Sequence, residues 1–133
     1  MEKTTEELLE RPYRIIDFLP EQVPADSGGQ FFAVEKYFLD KERLSEIKKK
    51  HARLILKLNC YYGISADGET DLSPAQIAER ICARHTCIRI GGTLITSEPD
   101  DTYMTVYNPG KRMLALIRKL ASGEGLYLRR PGR

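Results

Sequence analysis

Short segments in which apolar and polar residues alternate follow one another from Leu54 to Arg129, and two helical patterns separate them. Alternation of this kind is typical of strands with one buried face, because successive side chains of a strand point to opposite sides of the sheet. We interpret four segments as strands: RLILKLNCYYG, CIRIGGTLITS, TYMTVYN and LYLRR. The pair Gly91 and Gly92 falls inside the second segment, where we expect a bulge or a close approach of another backbone.

Two segments between these strands carry the signals of helices. In SPAQIAERICAR, Ser73 suits the N-cap, Pro74 suits the first helical position, and Gln76 completes a capping box. In GKRMLALIRKLAS, apolar residues recur at helical spacing after Asn108 and Pro109, which open the helix. Both segments are therefore predicted to be helical.

The order of elements from residue 54 onward is thus β-α-β-β-α-β, the split βαβ arrangement of ferredoxin-like folds. We predict an α+β protein in which residues 54–130 form a ferredoxin-like βαββαβ sheet with two helices on one face. Toward the helices we expect Leu54, Leu56, Leu58, Ile88, Ile90, Leu94, Met104, Val106, Leu126 and Leu128. On the opposite face we expect Ile55, Lys57, Asn59, Tyr61, Arg89, Thr93, Ile95, Tyr103, Thr105, Tyr107, Tyr127 and Arg129.

The N-terminal segment, residues 1–52, is predicted to contain helices and one strand. TTEELLE indicates a short helix, YRIIDFLP a strand and PEQVPADSGGQ a long connection, and we favour a helix over a strand for FFAVEKYFLD. A basic helix follows through KERLSEIKKKH, with Asp40 as its cap. A rival interpretation continues this helix through Leu58, but the alternation that ends at Gly63 favours a strand there. We expect one domain, 1–133, with the segment 1–52 packed against a core formed by 53–130.

Composition excludes several classes of protein. The chain has 133 residues, of which 41% are hydrophobic and 30% charged, as in soluble globular proteins. It contains no apolar run near the ~20 residues of a membrane span, and its acidic start does not resemble a signal peptide. Three cysteines, an odd number, without an export signal favour free thiols and a cytoplasmic location.

The cysteines raise the question of a metal site, because Cys82, His85 and Cys87 lie close together in ICARHTC. A tetrahedral zinc site usually takes its four ligands as close pairs with spacings such as C-x2-C. The fourth candidate, Cys60, falls near the end of the first predicted strand, whereas Cys87 begins the second, so they would lie at opposite ends of the sheet. We therefore expect no metal: the cysteines are small buried residues, and His85 closes a helix C-terminus, where a cation is favoured.

The segment NPGKR is a candidate anion site, because a helix start presents free backbone N–H groups beside two cations. Its residues are Asn108, Gly110, Lys111 and Arg112. Ordinary capping explains Asn108 and Pro109 equally well. The chain contains no Walker loop, no GxGxxG and no GxSxG, and SADGETDLSP fails the EF-hand spacing. The sequence therefore indicates no catalytic residue and no cofactor.

The sheet face away from the helices is predicted to carry tyrosines interleaved with cations. The candidate binding residues are Lys57, Tyr61, Arg89, Tyr103, Tyr107, Tyr127 and Arg129. Tyrosine and arginine are enriched at protein interfaces, and aromatic rings beside cations also suit single-stranded nucleic acid. Alternatively, the N-terminal segment, which is rich in apolar residues such as Phe31 and Phe32, folds back across this face.

Three functional hypotheses follow. The first is a small cytoplasmic α+β binding or interaction domain without catalytic activity, which uses the Tyr/Arg face to form a homodimer or to bind another protein. The second is binding of single-stranded nucleic acid through that face and the basic C-terminal segment, which runs from Lys111 to Arg133. The third is a small enzyme or binder that holds an anionic small molecule at Asn108–Arg112. No interaction with a membrane is expected.

Overall fold

The computed structural model describes residues 4–131, so Arg133, at the end of the predicted basic segment, lies outside the described residues. The helices are α1 (Thr5–Leu9), α2 (Phe31–Phe38), α3 (Lys41–Tyr61), α4 (Pro74–Ala83) and α5 (Lys111–Gly123). The strands are β1 (Tyr13–Asp17), β2 (Ser65–Ala66), β3 (Thr86–Ile90), β4 (Thr93–Ser97), β5 (Met104–Tyr107) and β6 (Tyr127–Arg129). Within the described range, no helix combines the length and the apolarity that crossing a bilayer requires.

The six strands form one sheet in the order β2-β3-β4-β5-β1-β6, and every neighbouring pair is antiparallel. The predicted α+β class is confirmed. The ferredoxin-like βαββαβ arrangement is not confirmed, because the strand order differs. Strand β1 lies between β5 and β6, so part of the N-terminal segment belongs to the sheet instead of packing against it.

The segment RLILKLNCYYG, which we predicted to be a strand, is helical as far as Tyr61. Helix α3 continues through it to Tyr61, as the rival interpretation had it. The buried residues of α3 are Ile47, Lys48, His51, Ala52, Leu54, Ile55 and Leu58. Their spacing is helical, and the neighbours Leu54 and Ile55 are both fully buried, which alternation in a strand with one solvent face does not allow. The alternation of leucines in this segment was therefore misleading.

Gly91 and Gly92 form a two-residue hairpin turn between β3 and β4, and not the bulge in one strand that we predicted. Gly91 has φ 57°, a conformation that glycine adopts readily. The turn shifts the alternation by one position, so Ile95 pairs with Ile88 on the helix-covered face and Leu94 lies on the opposite face. The predicted faces of Leu94 and Ile95 were therefore interchanged.

Helices α3, α4 and α5 cover one face of the sheet and bury the main apolar core with it. Helix α4 begins with the predicted capping box, in which Ser73 Oγ accepts from the backbone N–H of Gln76 and Gln76 Oε1 accepts from that of Ser73. Helix α5 buries Met113, Ile117 and Ala121, one residue per turn. Their spacing of four residues places all three on one side of the helix.

The opposite face of the sheet is covered only in part by the described N-terminal residues. Helix α1 lies against β4, and Leu8 of α1 and Leu94 of β4 are both fully buried. Over β5, β1 and β6 the face stays accessible, and Tyr13, Tyr103 and Tyr127 are exposed there. The alternative that the N-terminal segment folds back across this face therefore applies on the β4 side, through α1 and not through Phe31 or Phe32.

Candidate functional site

Four tyrosines lie together on the accessible part of the sheet, and we call this surface the tyrosine face: Tyr13, Tyr103, Tyr107 and Tyr127. The register pairs Tyr13 with Tyr107, and their ring centroids are 5.6 Å apart. Tyr127 pairs with Asp17 of β1. Tyr103 precedes Met104, whose side chain is buried in the core, so alternation places Tyr103 on the outer face.

The structure brings together only part of the predicted binding set. Tyr103, Tyr107, Tyr127 and Arg129 lie on the outer face as predicted. Lys57 and Tyr61 do not, because both belong to helix α3.

Arg89 shares the outer face but lines a separate cleft near β2. Tyr13 was missed: the sequence predicted its strand, but not the position of that strand beside β5.

The charges of the tyrosine face are balanced within it. The carboxylate of Asp17 accepts hydrogen bonds from Nη2 and Nε of Arg129, at 3.0 and 3.1 Å, and both side chains are largely buried. Burial, with the nearby charges of Asp101 and Asp17, raises the pKa of Tyr103. The phenol of Tyr103 is therefore protonated at neutral pH and available as a hydrogen-bond donor.

A second feature of the outer face joins a thiol, an imidazole and a carboxylate. His85 Nε2 lies 3.3 Å from Cys87 Sγ, and His85 Nδ1 lies 2.5 Å from Glu98 Oε2. Burial, with Asp67 and Glu98 nearby, raises the pKa of the Cys87 thiol. We call His85, Cys87 and Glu98 the thiol cluster.

The thiol cluster was missed in the sequence because its carboxylate comes from another segment. Strands β3 and β4 pair symmetrically about the glycine turn, with Thr86 opposite Ser97. His85 and Glu98 are the next residues outward on each side, so the hairpin register brings them together. Identification of Gly91-Gly92 as a turn would have been sufficient to place Glu98 beside His85.

The cysteines and histidine differ from their predicted roles. Cys60 and Cys82 are exposed, so neither is the small buried residue that we expected. Helix α4 ends at Ala83, and the His85 side chain binds Glu98 instead of closing the helix. In residues 4–131, no three His, Cys, Asp or Glu side chains are arranged to hold a metal ion.

A cleft of about 630 Å³ lies beside Cys87. It is lined by Thr5, Gly63, Ser65, Asp67, Gly68, Thr70, Cys87, Arg89 and Gly91. Asp67 Oδ1 accepts a hydrogen bond from the backbone N–H of Cys87 at 2.9 Å, and Arg80 lies 3.6 Å from the other oxygen of Asp67. Asp67 and Gly68 have φ 52° and 83°, as in the Asp-Gly turns that join short hairpins.

The candidate anion site at the start of α5 is only partly as predicted. The N-cap of α5 is Gly110, and no side chain caps the helix. Asn108 instead donates its side-chain amide to the carbonyl of Gly92 and its backbone N–H to that of Pro12, both at 2.9 Å. Lys111 and Arg112 are exposed on the first turn. Binding of an anion by these residues remains a prediction.

A polar cluster lies on the buried side of α3, beneath the end of the sheet that carries the thiol cluster. Lys48 Nζ donates to Ser97 Oγ at 2.9 Å and to the carbonyl of Glu98 at 2.7 Å. Burial lowers the pKa of Lys48 to about 8, although Asp101, Cys82, Glu98 and Asp100 oppose the shift.

His51, one turn from Lys48 along α3, is fully buried. Burial and the charge of Lys48 lower the pKa of His51 to about 3. The backbone of Thr102 opposes this shift, although neither ring nitrogen of His51 makes a hydrogen bond of ordinary geometry with the described residues.

No protein-family model matches the chain, and no curated protein or solved structure is similar enough to count as a match.

Proposed function

We propose that this protein is a small binding domain that self-associates through the tyrosine face. The observation that carries the proposal is the exposure of Tyr13, Tyr103 and Tyr127, beside Tyr107, on one surface of the sheet. Tyrosine is enriched at interfaces because its rigid ring buries a large area and its hydroxyl still forms hydrogen bonds. This function requires no catalytic activity.

The charge of the tyrosine face supports a second copy of the chain as the partner. A two-fold interface brings the same patch of both copies together, so a patch with a large net charge would repel itself. Here Asp17 and Arg129 neutralise each other. This ion pair therefore adds no net charge to the surface that the two copies would share.

Single-stranded nucleic acid is the second class of partner that suits exposed rings. It requires cations beside the rings, because phosphate neutralisation supplies much of the affinity. Of two cations that the sequence placed there, Lys57 lies on helix α3 and binds Glu124, and Arg129 lies on the face but is paired with Asp17. These ion pairs favour a protein surface as the partner.

Sedimentation equilibrium across a concentration series tests self-association. We expect the wild-type chain to move from monomer toward dimer as the concentration rises. The double variant Tyr103→Ala, Tyr127→Ala should require an at least about tenfold higher concentration, since truncation of one central tyrosine often costs more than ~1 kcal/mol. The matched control is Tyr61→Ala, because Tyr61 is exposed on α3, away from the tyrosine face.

A chain that stays monomeric throughout the series would contradict the proposal, as would a double variant that associates like the wild type. Fluorescence anisotropy with a mixed-sequence single strand at low salt separates the two partner classes. Affinity that falls steeply with salt and disappears in the double variant would replace self-association with nucleic-acid binding.

A further inference from the structure

The thiol cluster has the connectivity of an assisted nucleophile. The imidazole of His85 contacts the sulfur of Cys87 through Nε2, at 3.3 Å, and the carboxylate of Glu98 through Nδ1, at 2.5 Å. A carboxylate at Nδ1 orients the ring and favours the proton on that nitrogen, so Nε2 is left as the acceptor. This order of contacts, from a nucleophile to a base to an orienting group, is the arrangement that activates a hydroxyl or thiol for attack on a carbonyl.

The position of Cys87 gives the sulfur access to a ligand. Cys87 lines the cleft of about 630 Å³, a volume that accommodates a small organic molecule. Asp67 holds the backbone N–H of Cys87, and Arg89, two residues along the same strand face, contributes positive charge to the same cleft. Cys87 is therefore positioned by its neighbours, lines the cleft and is only partly buried.

We infer that Cys87 is a nucleophile that accepts an acyl group from an ester or thioester bound in this cleft, with His85 as its general base and Glu98 as a positioning residue. The sulfur attacks the acyl carbon, and the thiol proton moves to His85 Nε2. The carbon–oxygen or carbon–sulfur bond of the donor then breaks, and the leaving group departs with the bonding electrons and takes a proton. Water can hydrolyse the resulting thioester, which releases the acid and restores the thiol.

The surroundings of Cys87 make a base necessary. Burial and the carboxylates of Asp67 and Glu98 raise the pKa of Cys87, so the group is a thiol and not a thiolate at neutral pH. The other charged group that lines this cleft is Arg89, and Arg80 lies behind Asp67. A thiol in this state attacks only when its proton is removed during the reaction, which is the role of His85.

The two exposed cysteines of the same chain provide an internal control. The full chain is treated with p-nitrophenyl acetate, and acetylation of each cysteine is followed by peptide mass spectrometry. We expect Cys87 to be acetylated at least about tenfold faster than Cys60 or Cys82, because general-base assistance typically contributes a factor of 10² or more. Release of p-nitrophenolate in a Cys60→Ala, Cys82→Ala chain measures the same step at Cys87 alone.

Replacement of His85, the proposed base, shows whether the reactivity of Cys87 depends on the imidazole or only on exposure of the thiol. His85 is half exposed, so His85→Ala should fold, and circular dichroism checks this. We expect His85→Ala to lower acetylation of Cys87 to the rate of Cys60 or below, and to change the dependence of that rate on pH. Glu98→Gln should lower the rate less and keep the wild-type pH dependence.

Equal acetylation of all three cysteines would overturn the inference, as would a folded His85→Ala chain that reacts like the wild type. The inference does not rest on self-association. The Tyr103→Ala, Tyr127→Ala variant should react at Cys87 at the wild-type rate, and loss of its reactivity would contradict the separation of the two sites.

Discussion

Lys48 Nζ donates a hydrogen bond to the carbonyl oxygen of Glu98, over a distance of 2.7 Å, from the buried face of helix α3. Glu98 follows β4, and its side chain contacts His85 on the other side of the sheet. The same residue therefore joins the core helix to the thiol cluster. Lys48 thus holds the backbone of Glu98 from beneath the sheet, while the Glu98 side chain takes part in the thiol cluster.

Replacement of Lys48 by Met should destabilise the protein although it removes a buried charge. The Met side chain retains the apolar stem but leaves Ser97 Oγ and the Glu98 carbonyl without the ammonium donor. We expect a loss of about 1–3 kcal/mol in the free energy of unfolding, measured by urea denaturation at pH 7. Lys49→Met is the control, since Lys49 is exposed and should change stability by less than ~0.5 kcal/mol. Equal stability of Lys48→Met and wild type would show that the hydrogen bonds contribute nothing net.

His51 should make the protein less stable as the pH falls below about 6.5. The folded state holds the pKa of His51 near 3, so between the two values the unfolded state binds the additional proton. The slope from this group is about 1.4 kcal/mol per pH unit. The His51→Leu variant lacks the group, so the stability difference between wild type and variant should shift in favour of the variant from pH 7 to pH 5. A stability difference between the two proteins that does not change with pH would contradict the burial of an uncharged His51.

Glu124 should contribute stability at neutral pH that disappears in acid. Its side chain is nearly buried and accepts hydrogen bonds from Arg53 Nε at 2.8 Å and Lys57 Nζ at 2.7 Å. Burial alone would raise its pKa, but these two cations lower it on balance. Glu124→Gln should therefore cost about 1 kcal/mol at pH 7, a discounted value because both cations are half exposed.

The cost of Glu124→Gln should begin to fall below the ordinary glutamate pKa of about 4.3, and it should be lost once the pH has fallen through the lowered pKa of the folded state. Denaturation of Glu46→Gln, which breaks an exposed ion pair with Lys49, provides the comparison. A larger loss for Glu46→Gln than for Glu124→Gln would contradict the importance of burial.

The glycine turn should respond differently at its two positions. Gly91 has φ 57°, so Gly91→Ala places a β-carbon in a left-handed conformation and should cost about 1–2 kcal/mol. A β-carbon on Gly92 would meet only ordinary contact, 3.9 Å from Asn108 Nδ2, and Gly92→Ala should change stability by less than ~0.5 kcal/mol. Thermal denaturation of both variants measures this. Equal effects would be inconsistent with the observed turn.

Short-range sequence signals correctly predicted helix α4 and the strands β5 and β6. The capping box of Ser73 and Gln76 located the start of α4, and the short strands around Met104 and Leu128 were recognised by their alternation. Each of these features depends on residues within one turn or one strand. They form in the same way whatever the strand order of the sheet.

Features that depend on distant segments were not predictable in this way. Apolar residues at positions 54, 56 and 58 suit a strand, whereas packing of α3 against α4 and α5 buries Leu54 and Ile55 together and favours a helix. The insertion of β1 between β5 and β6 has no local signal, so Tyr13 was not assigned to the tyrosine face. The thiol cluster could have been predicted from the register of the β3–β4 hairpin alone. It was missed because we interpreted Gly91 and Gly92 as a bulge and not as the hairpin turn.

The claim that the tyrosine face is the surface of self-association is tested most directly by amide NMR spectra recorded across a concentration series. The prediction is concentration-dependent shifts in residues 13–17, 103–107 and 127–129, which form this face and its strands. Helix α2 is the other candidate surface for self-association, because its Phe32 is 81% exposed. Shifts confined to Phe31–Phe38, or a spectrum that does not change with concentration, would contradict the claim.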